Sequence, residues 1–256
     1  MTDAQVKVEL AGPVAVLALN RPDKLNAIGP GMIAELHAAL DRAEADAQVR
    51  VILLRGEGRA FSAGFDMSVD APEGADLEAF WREELNKDFN IIMRFWDSPK
   101  VTVAAVHGYC LGSAMEMALA CDLTVASDDC RFGVPEVSFG SGIVAMILPW
   151  LTSAKVAKEL LLAADKHVSA ARLESLGLLN RVVPADELAA CAQELAEQVA
   201  GNDARAVSMT KQAINASYRI MGMPEALAQA LEYDIQIESS ASPDADSPAG
   251  EQKDKT

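Results

Sequence analysis

The stretch Val101-Thr-Val-Ala-Ala-Val-His107-Gly-Tyr-Cys-Leu-Gly112-Ser-Ala-Met-Glu116-Met-Ala-Leu-Ala-Cys121-Asp122 decides how this chain is read. Val101 to Val106 is an unbroken apolar run bounded by Pro99 and Gly108, as expected for a strand buried on both faces. His107-Gly108 turns the chain, and Gly112-Ser113 opens a short apolar helix to about Cys121. The free N–H groups at that helix start, with the positive end of the helix dipole behind them, suit an oxyanion. Glu116 stands in the first turn among Ala, Met and Leu, an uncommon setting for a carboxylate. By itself it serves equally well to offset the helix dipole. Twenty residues further on, Phe132-Gly-Val-Pro-Glu136-Val137 sets a second glutamate among small and apolar residues, where an ordinary loop carboxylate is the simpler reading. Two carboxyls entering apolar surroundings have their pKa values pushed up and apart, and can serve as acid and base near neutral pH.

Outward from this stretch the pattern alternates. Val14 to Leu19 and Val51 to Leu54 read as buried strands, and Asp122 to Ala126 as a fourth. Gly31 to Ala45 carries Met32, Leu36, Leu40 and Ala43 at helical spacing, and Asp76 to Trp96 is a longer helix stopped by Ser98-Pro99. Beyond Phe132 helices are expected over 154–164, 170–176, 185–200, 204–220 and 224–237. The order β-α-β-α-β-α-β followed by helices predicts a layered α/β core with a helical C-terminal region. Boundaries follow: residues 1–185 form the core with the site, 186–237 a helical region, and 238–256, which lacks large apolar residues, a disordered acidic tail.

Composition narrows the function classes. The 256 residues carry 22 Lys and Arg against 38 Asp and Glu, a net charge of −16, without a basic cluster to displace counterions from a phosphate backbone. No nucleic-acid partner is expected, and the acidity itself favours solubility. The apolar run near Ile143 to Leu151 is too short for a membrane span. The four cysteines form no C-x-x-C, and only His37, His107 and His167 accompany them, so neither a metal site nor a disulfide framework is expected. The first residues lack the charged-then-apolar pattern of a signal peptide, which leads to the expectation of a cytoplasmic protein. No dinucleotide, P-loop or zincin signature occurs. Ala60-Phe-Ser-Ala-Gly64 comes one residue short of a serine-hydrolase nucleophile elbow, but its first glycine is missing and no particular acid partner is indicated.

Five segments in order, from Val14 to Val183, carry a resemblance to the enoyl-CoA hydratase/isomerase (crotonase) superfamily. They are Asn20-Arg-Pro-Asp-Lys-Leu-Asn-Ala27, Phe61-Ser-Ala-Gly-Phe-Asp66, Pro99 to Gly112, Phe132 to Val137, and Ala171-Arg-Leu-Glu-Ser-Leu-Gly-Leu-Leu-Asn-Arg-Val-Val-Pro184. The resemblance implies a spiral of ββα units, with C-terminal helices used in trimer contacts. It also implies an acyl-CoA substrate, no separate cofactor, and a homotrimer or a hexamer of two trimers. The oxyanion hole would be the backbone N–H groups of Phe65 and Ser113. Glu116 and Glu136 match the two glutamates that add water across the α,β double bond of a 2-enoyl-CoA. Coenzyme A would lie along Lys24, Leu25, Ala63 and Asp66, and the acyl pocket would be lined by Met67, Phe80, Trp81 and Val144, with Phe80 and Trp81 as candidates for a mobile lid.

Two departures bear on this. Gly112-Ser-Ala114 stands where hydratases usually have three glycines, and Val144 stands where a small residue leaves room beside the catalytic water. A Δ3,Δ2-enoyl-CoA isomerase, which needs one carboxylate, or another acyl-CoA reaction of the superfamily is therefore the alternative. A non-catalytic CoA-binding member would be expected to have lost a glutamate, and neither is lost. Dehalogenase-like chemistry needs a nucleophilic carboxylate beyond Glu136, and none lies between Val137 and Lys158.

Overall fold

The computed structural model describes residues 4–240. Its elements run β1 (Val6–Ala11), β2 (Val14–Leu19), α1 (Pro30–Ala45), β3 (Val51–Gly56), α2 (Leu77–Asp97), β4 (Val101–Val106), β5 (Tyr109–Leu111) and α3 (Ser113–Ala120). There follow β6 (Leu123–Ser127), β7 (Arg131–Gly133), α4 (Leu148–Leu151), α5 (Ala154–Leu162), β8 (Val168–Ser169), α6 (Ala170–Ser175) and β9 (Arg181–Val183). Three helices close the described chain: α7 (Leu188–Ala200), α8 (Ala204–Ile220) and α9 (Met223–Ser240).

A six-stranded sheet has the order β1-β2-β3-β4-β6-β9, parallel except for the β1–β2 pair, and a three-stranded sheet has the order β5-β7-β8. Successive turns of the chain lay one strand in each sheet: β4 then β5, β6 then β7. The turn through β3 reaches the small sheet only as an isolated bridge from Ser62 to Cys110. This is the expected spiral of ββα units.

The continuous apolar runs of β3 and β4 follow from burial on both faces. Ile52, Leu54, Ala104 and Val106 point into a core shared with α1, α2 and α3. The alternating residues Val51, Leu53, Val101, Val103 and Ala105 meet Leu188, Ala192, Leu195 and Ala196 of α7 on the other face. The expected helical region thus begins as a layer of the core. On α8, buried Lys211 donates to Asp122 Oδ2 at 2.7 Å and to the Lys100 carbonyl at 2.9 Å, tying this helix to the loop after α3. The α9 helix packs along α2 and runs on to Ser240, past the expected start of the tail at Glu238; 241–256 lie outside the described residues. Val6–Ala11 and the short strands β5, β7, β8 and β9 were not expected from the sequence.

Candidate active site

The first part of the site is a loop held by one side chain. Asn26, fully buried, donates through Nδ2 to the carbonyls of Glu57, Ala60 and Phe61 at 2.9, 2.9 and 3.1 Å, and accepts from the Arg21 N–H at 2.8 Å. The Asn26 carbonyl accepts from Ser62 Oγ at 2.8 Å, and Ser62 Oγ in turn accepts from the Gly64 N–H at 3.1 Å. Four donors and acceptors of one buried amide region therefore fix where residues 60–65 run. Sequence reasoning used Asn26 only as part of a motif; its partners at Glu57, Ala60, Phe61 and Ser62 lie more than thirty residues away and could not be read from it.

Leu25, in left-handed backbone geometry with φ +50°, accepts at its carbonyl from the Ala63 N–H at 2.9 Å, so two of the expected CoA positions are brought together. Lys24 is exposed at the end of a short 3-10 turn beside them. Asp66 is already engaged: Oδ2 accepts from Arg21 Nη1 at 3.0 Å and Oδ1 from Ser68 Oγ at 2.7 Å. The hydrogen bond from Ser68, with the one from Arg21, holds its carboxyl below the usual range. Its side chain therefore ties the loop back to residues 21–28.

Gly64 and Gly112 bring the two expected oxyanion donors to one place. Gly64 has φ +96°, and a methyl on it would lie 2.9 Å from the Leu111 carbonyl and 3.5 Å from the Ser113 nitrogen. The next residue, Phe65, bridges to Ile28 on its other side. Among the described residues neither the Phe65 N–H nor the Ser113 N–H has an acceptor. Ser113 is the first residue of α3, where helical N–H groups have no intrahelical partner. Its hydroxyl is buried and unpartnered.

The carboxyls converge on the same turn. Glu116 is 3% exposed, and its Oε2 accepts from the Ala145 N–H at 3.0 Å. Glu136 opens a short 3-10 turn at Glu136–Phe139, and its Oε1 lies where a methyl on Gly112 would be, 2.2 Å from that position. Glu136 Oε2 is buried without a partner. Burial, then the nearby Glu136 charge, drive the Glu116 carboxyl well above its ordinary range. Burial pushes Glu136 up to about 7. Such a pair shares a proton near neutral pH. The N–H from Ala145 works against burial by favouring the charged form of Glu116, without offsetting it.

The expected acyl-pocket residues separate. Val144, 9% exposed, joins the core that contains Ala114 and Met115, and Trp81 packs against the same core with Phe80 edge-on at 5.2 Å. Met67 is 76% exposed and packs against neither core. Two further carboxyls, Asp88 of α2 and Asp234 of α9, lie near enough for their charges to bear on Glu116, and sequence reasoning missed both. The legible signal was Asp234 on the same helical stripe as Leu227, Leu231 and Ile235. A cleft of about 700 Å³ between α1 and α2, lined by Ile33, His37, Met93 and Arg94 among others, contains none of the expected site residues. Among the described residues no group of three or more His, Cys, Asp or Glu is arranged to hold a metal ion. No helix there is long and apolar enough to cross a membrane.

A ββα spiral in which two unengaged N–H groups, buried Glu116 and half-buried Glu136 meet at one glycine turn defines a protein of the crotonase class. The family model for enoyl-CoA hydratase/isomerase matches residues 9–251, and the chain belongs to that family. It is an enzyme of enoyl-CoA hydratase/isomerase chemistry, within the hydro-lyases. Its fold is similar to the crystal structure of an enoyl-CoA hydratase/isomerase from Xanthobacter autotrophicus Py2, with a TM-score of 0.88 and 45% identity over 95% of this chain and 91% of that one. A Thermus thermophilus protein assigned as an enoyl-CoA hydratase is 39% identical over 210 residues, 81% of this chain and 82% of the relative. The short-chain-enoyl-CoA hydratase of Clostridium acetobutylicum is 34% identical over 217 residues, 82% of this chain and 80% of the relative.

Proposed function

We propose that this enzyme adds water across the α,β double bond of a 2-enoyl-CoA thioester, using Glu116 and Glu136 as acid and base and the N–H groups of Phe65 and Ser113 as the oxyanion hole. The observation that carries this reading is the Gly112 turn. It presents an unengaged N–H at Ser113 and leaves room for the Glu136 carboxyl, one helical turn from Glu116. One of the two carboxyls, in its charged form, takes a proton from water, and the oxygen adds to the β-carbon. The π electrons move onto the thioester oxygen, whose developing charge the two N–H groups stabilise. One such donor is worth about 10²–10³ in rate. The other, protonated, then delivers its proton to the α-carbon, a transfer worth roughly 10²–10⁴. Coenzyme A runs along Lys24, Leu25, Ala63 and the backbone of Asp66, and Trp81, Phe80 and Val144 wall the acyl group, with exposed Met67 at its rim.

Val144 favours a second reading. A branched side chain beside the carboxyl pair narrows the space for water, and a Δ3,Δ2-enoyl-CoA isomerase needs no water. For the assembly, we propose a homotrimer or a hexamer of trimers; the apolar side chains Met209, Ile214, Ile220 and Met221, exposed along and just beyond α8, support contact with other copies. The test is to mix the protein with but-2-enoyl-CoA and follow the conjugated thioester absorbance, with the product identified by mass. Loss of absorbance with gain of one water supports the hydratase. No hydration, together with conversion of a 3-enoyl-CoA to its 2-enoyl isomer, supports the isomerase instead.

A further inference from the structure

Asp234 and Asp88 are not used by the hydration chemistry, and their setting is unusual. Asp234 is 2% exposed, and among the described residues neither of its carboxyl oxygens has a hydrogen-bond partner. Its carboxyl lies against Gly142, so closely that a methyl there would come within 2.0 Å of Oδ1. Gly142 belongs to the segment between Glu136 and Ala145, the residue whose N–H holds Glu116. The charge of Asp234 bears on Glu116 and on Asp88, and that of Glu136 bears on Asp234. Glu116, Glu136, Asp234 and Asp88 thus run as one acidic group from the Gly112 turn to the α2–α9 seam, with Glu238 bearing on Asp234 and Glu84 on Asp88.

Among the described residues, the one cation whose charge bears on the far end of this group is Lys87, beside Asp88. The cations of this part of α2 are engaged elsewhere: Arg82 with Glu78 and Glu232, Lys87 with Glu83 and Glu84. A buried carboxyl without a partner is costly, and apolar residues would fill the same place more cheaply. The position belongs to the acyl side of the site. Asp88 shares α2 with Trp81, and Asp234 touches the segment that carries Val144, whereas the CoA residues lie along 24–25 and 63–66.

We propose that Asp234, backed by Asp88, binds a hydroxyl on the acyl chain, so that the enzyme takes hydroxylated 2-enoyl-CoA thioesters in preference to plain hydrocarbon ones. A carboxyl shared between neutral and charged forms both donates and accepts, which matches a hydroxyl. The nearest donor to Asp234 is the Gly142 N–H, which lies 3.4 Å from Glu238 Oε1, and bound substrate supplies a partner of full hydrogen-bond geometry. A site built to hydrogen-bond a substrate group rejects the analogue without it, because its own polar atoms then stay unpaired. The inference rests on the acyl-CoA reading above.

The test compares kcat/KM of the full chain for 4-hydroxybut-2-enoyl-CoA against but-2-enoyl-CoA, and for 5-hydroxypent-2-enoyl-CoA against pent-2-enoyl-CoA. The expected result is a preference of about tenfold or more for a hydroxylated member of one pair. Asp234→Leu, shown to be folded by circular dichroism, should abolish that ratio, and Asp234→Asn should lower it severalfold. A purely structural role for Asp234 would leave the ratio unmoved. Ratios within twofold of unity in both pairs, or a ratio unaffected by both substitutions, overturn the proposal while leaving the hydratase reading intact. Calorimetry with butanoyl-CoA separates the two failures: no turnover of any of the four thioesters and no butanoyl-CoA binding overturns the acyl-CoA reading and this proposal with it.

Discussion

Replacing Gly112 by alanine puts a methyl group 2.2 Å from Glu136 Oε1 and 3.3 Å from the carboxyl carbon. Ordinary contact needs about 3.5 Å, so the carboxyl must retreat by roughly 1.3 Å. The backbone cannot yield cheaply, because Gly112 has φ +58° and ψ −134° and its N–H donates to the Gly133 carbonyl at 2.7 Å. Holding alanine in that conformation costs about 1–3 kcal/mol of stability. A misplacement of this size costs about 10²-fold in rate, and complete loss of one acid–base group about 10²–10⁴. The expected outcome is a folded protein, melting lower than the wild type, whose kcat for but-2-enoyl-CoA falls by about 10²–10³. KM should change far less, because the atoms the added methyl meets first are those of Glu136 and not of the CoA segment at 24–25 and 63–66. A folded Gly112→Ala protein with kcat within threefold of wild type would refute the placement of Glu136 at the reacting bond.

Three other outcomes follow from the same geometry. Ser113→Ala should leave turnover near wild type, whereas Ser113→Pro, tolerated at a first helical position, removes the N–H and should lower kcat by about 10²–10³; equal rates for the two would exclude that N–H as an oxyanion donor. Asn26→Ala leaves three loop carbonyls without their donor, and should cost about 2–4 kcal/mol in urea unfolding and slow turnover as residues 60–65 loosen; an unchanged unfolding midpoint would contradict its role. Burial pushes Asp234 up to about 7 from an ordinary 3.8, so the folded state holds its proton more tightly than the unfolded chain. Its contribution to stability is complete below pH 3.8 and is lost as pH rises to about 7, by at most about 4 kcal/mol. Asp234→Asn should therefore gain on the wild type across that window and hold its advantage above it, and a constant difference at every pH would refute the shift.

Much of this architecture was legible because burial on both faces leaves an unmistakable apolar run, as in β2, β3 and β4, and because α8 has matching boundaries in pattern and structure. The β1 strand was missed although Val6-Lys-Val-Glu-Leu alternates as an edge strand should. The strands β5, β7, β8 and β9 span two or three residues each, too few to carry a period, and are fixed by pairing with distant segments. In the proposed site, Glu116 stood out because carboxylates are rare among Ala, Met and Leu, whereas Glu136 read as an ordinary loop carboxylate until the family resemblance singled it out. Asn26 did not, because its meaning lies in carbonyls of residues 57–61 that only the fold brings to it. Asp234 was readable as an acid on an apolar stripe, but its nearness to Gly142 was not, since that depends on how α9 docks.

The central claim, that two glutamates at the Gly112 turn hydrate an enoyl thioester, is tested most directly by single-turnover hydration of but-2-enoyl-CoA by Glu116→Gln and Glu136→Gln, each first shown to bind the thioester. The account predicts that each substitution alone lowers the rate by at least about 10²-fold with binding retained. Wild-type hydration by either variant would contradict it.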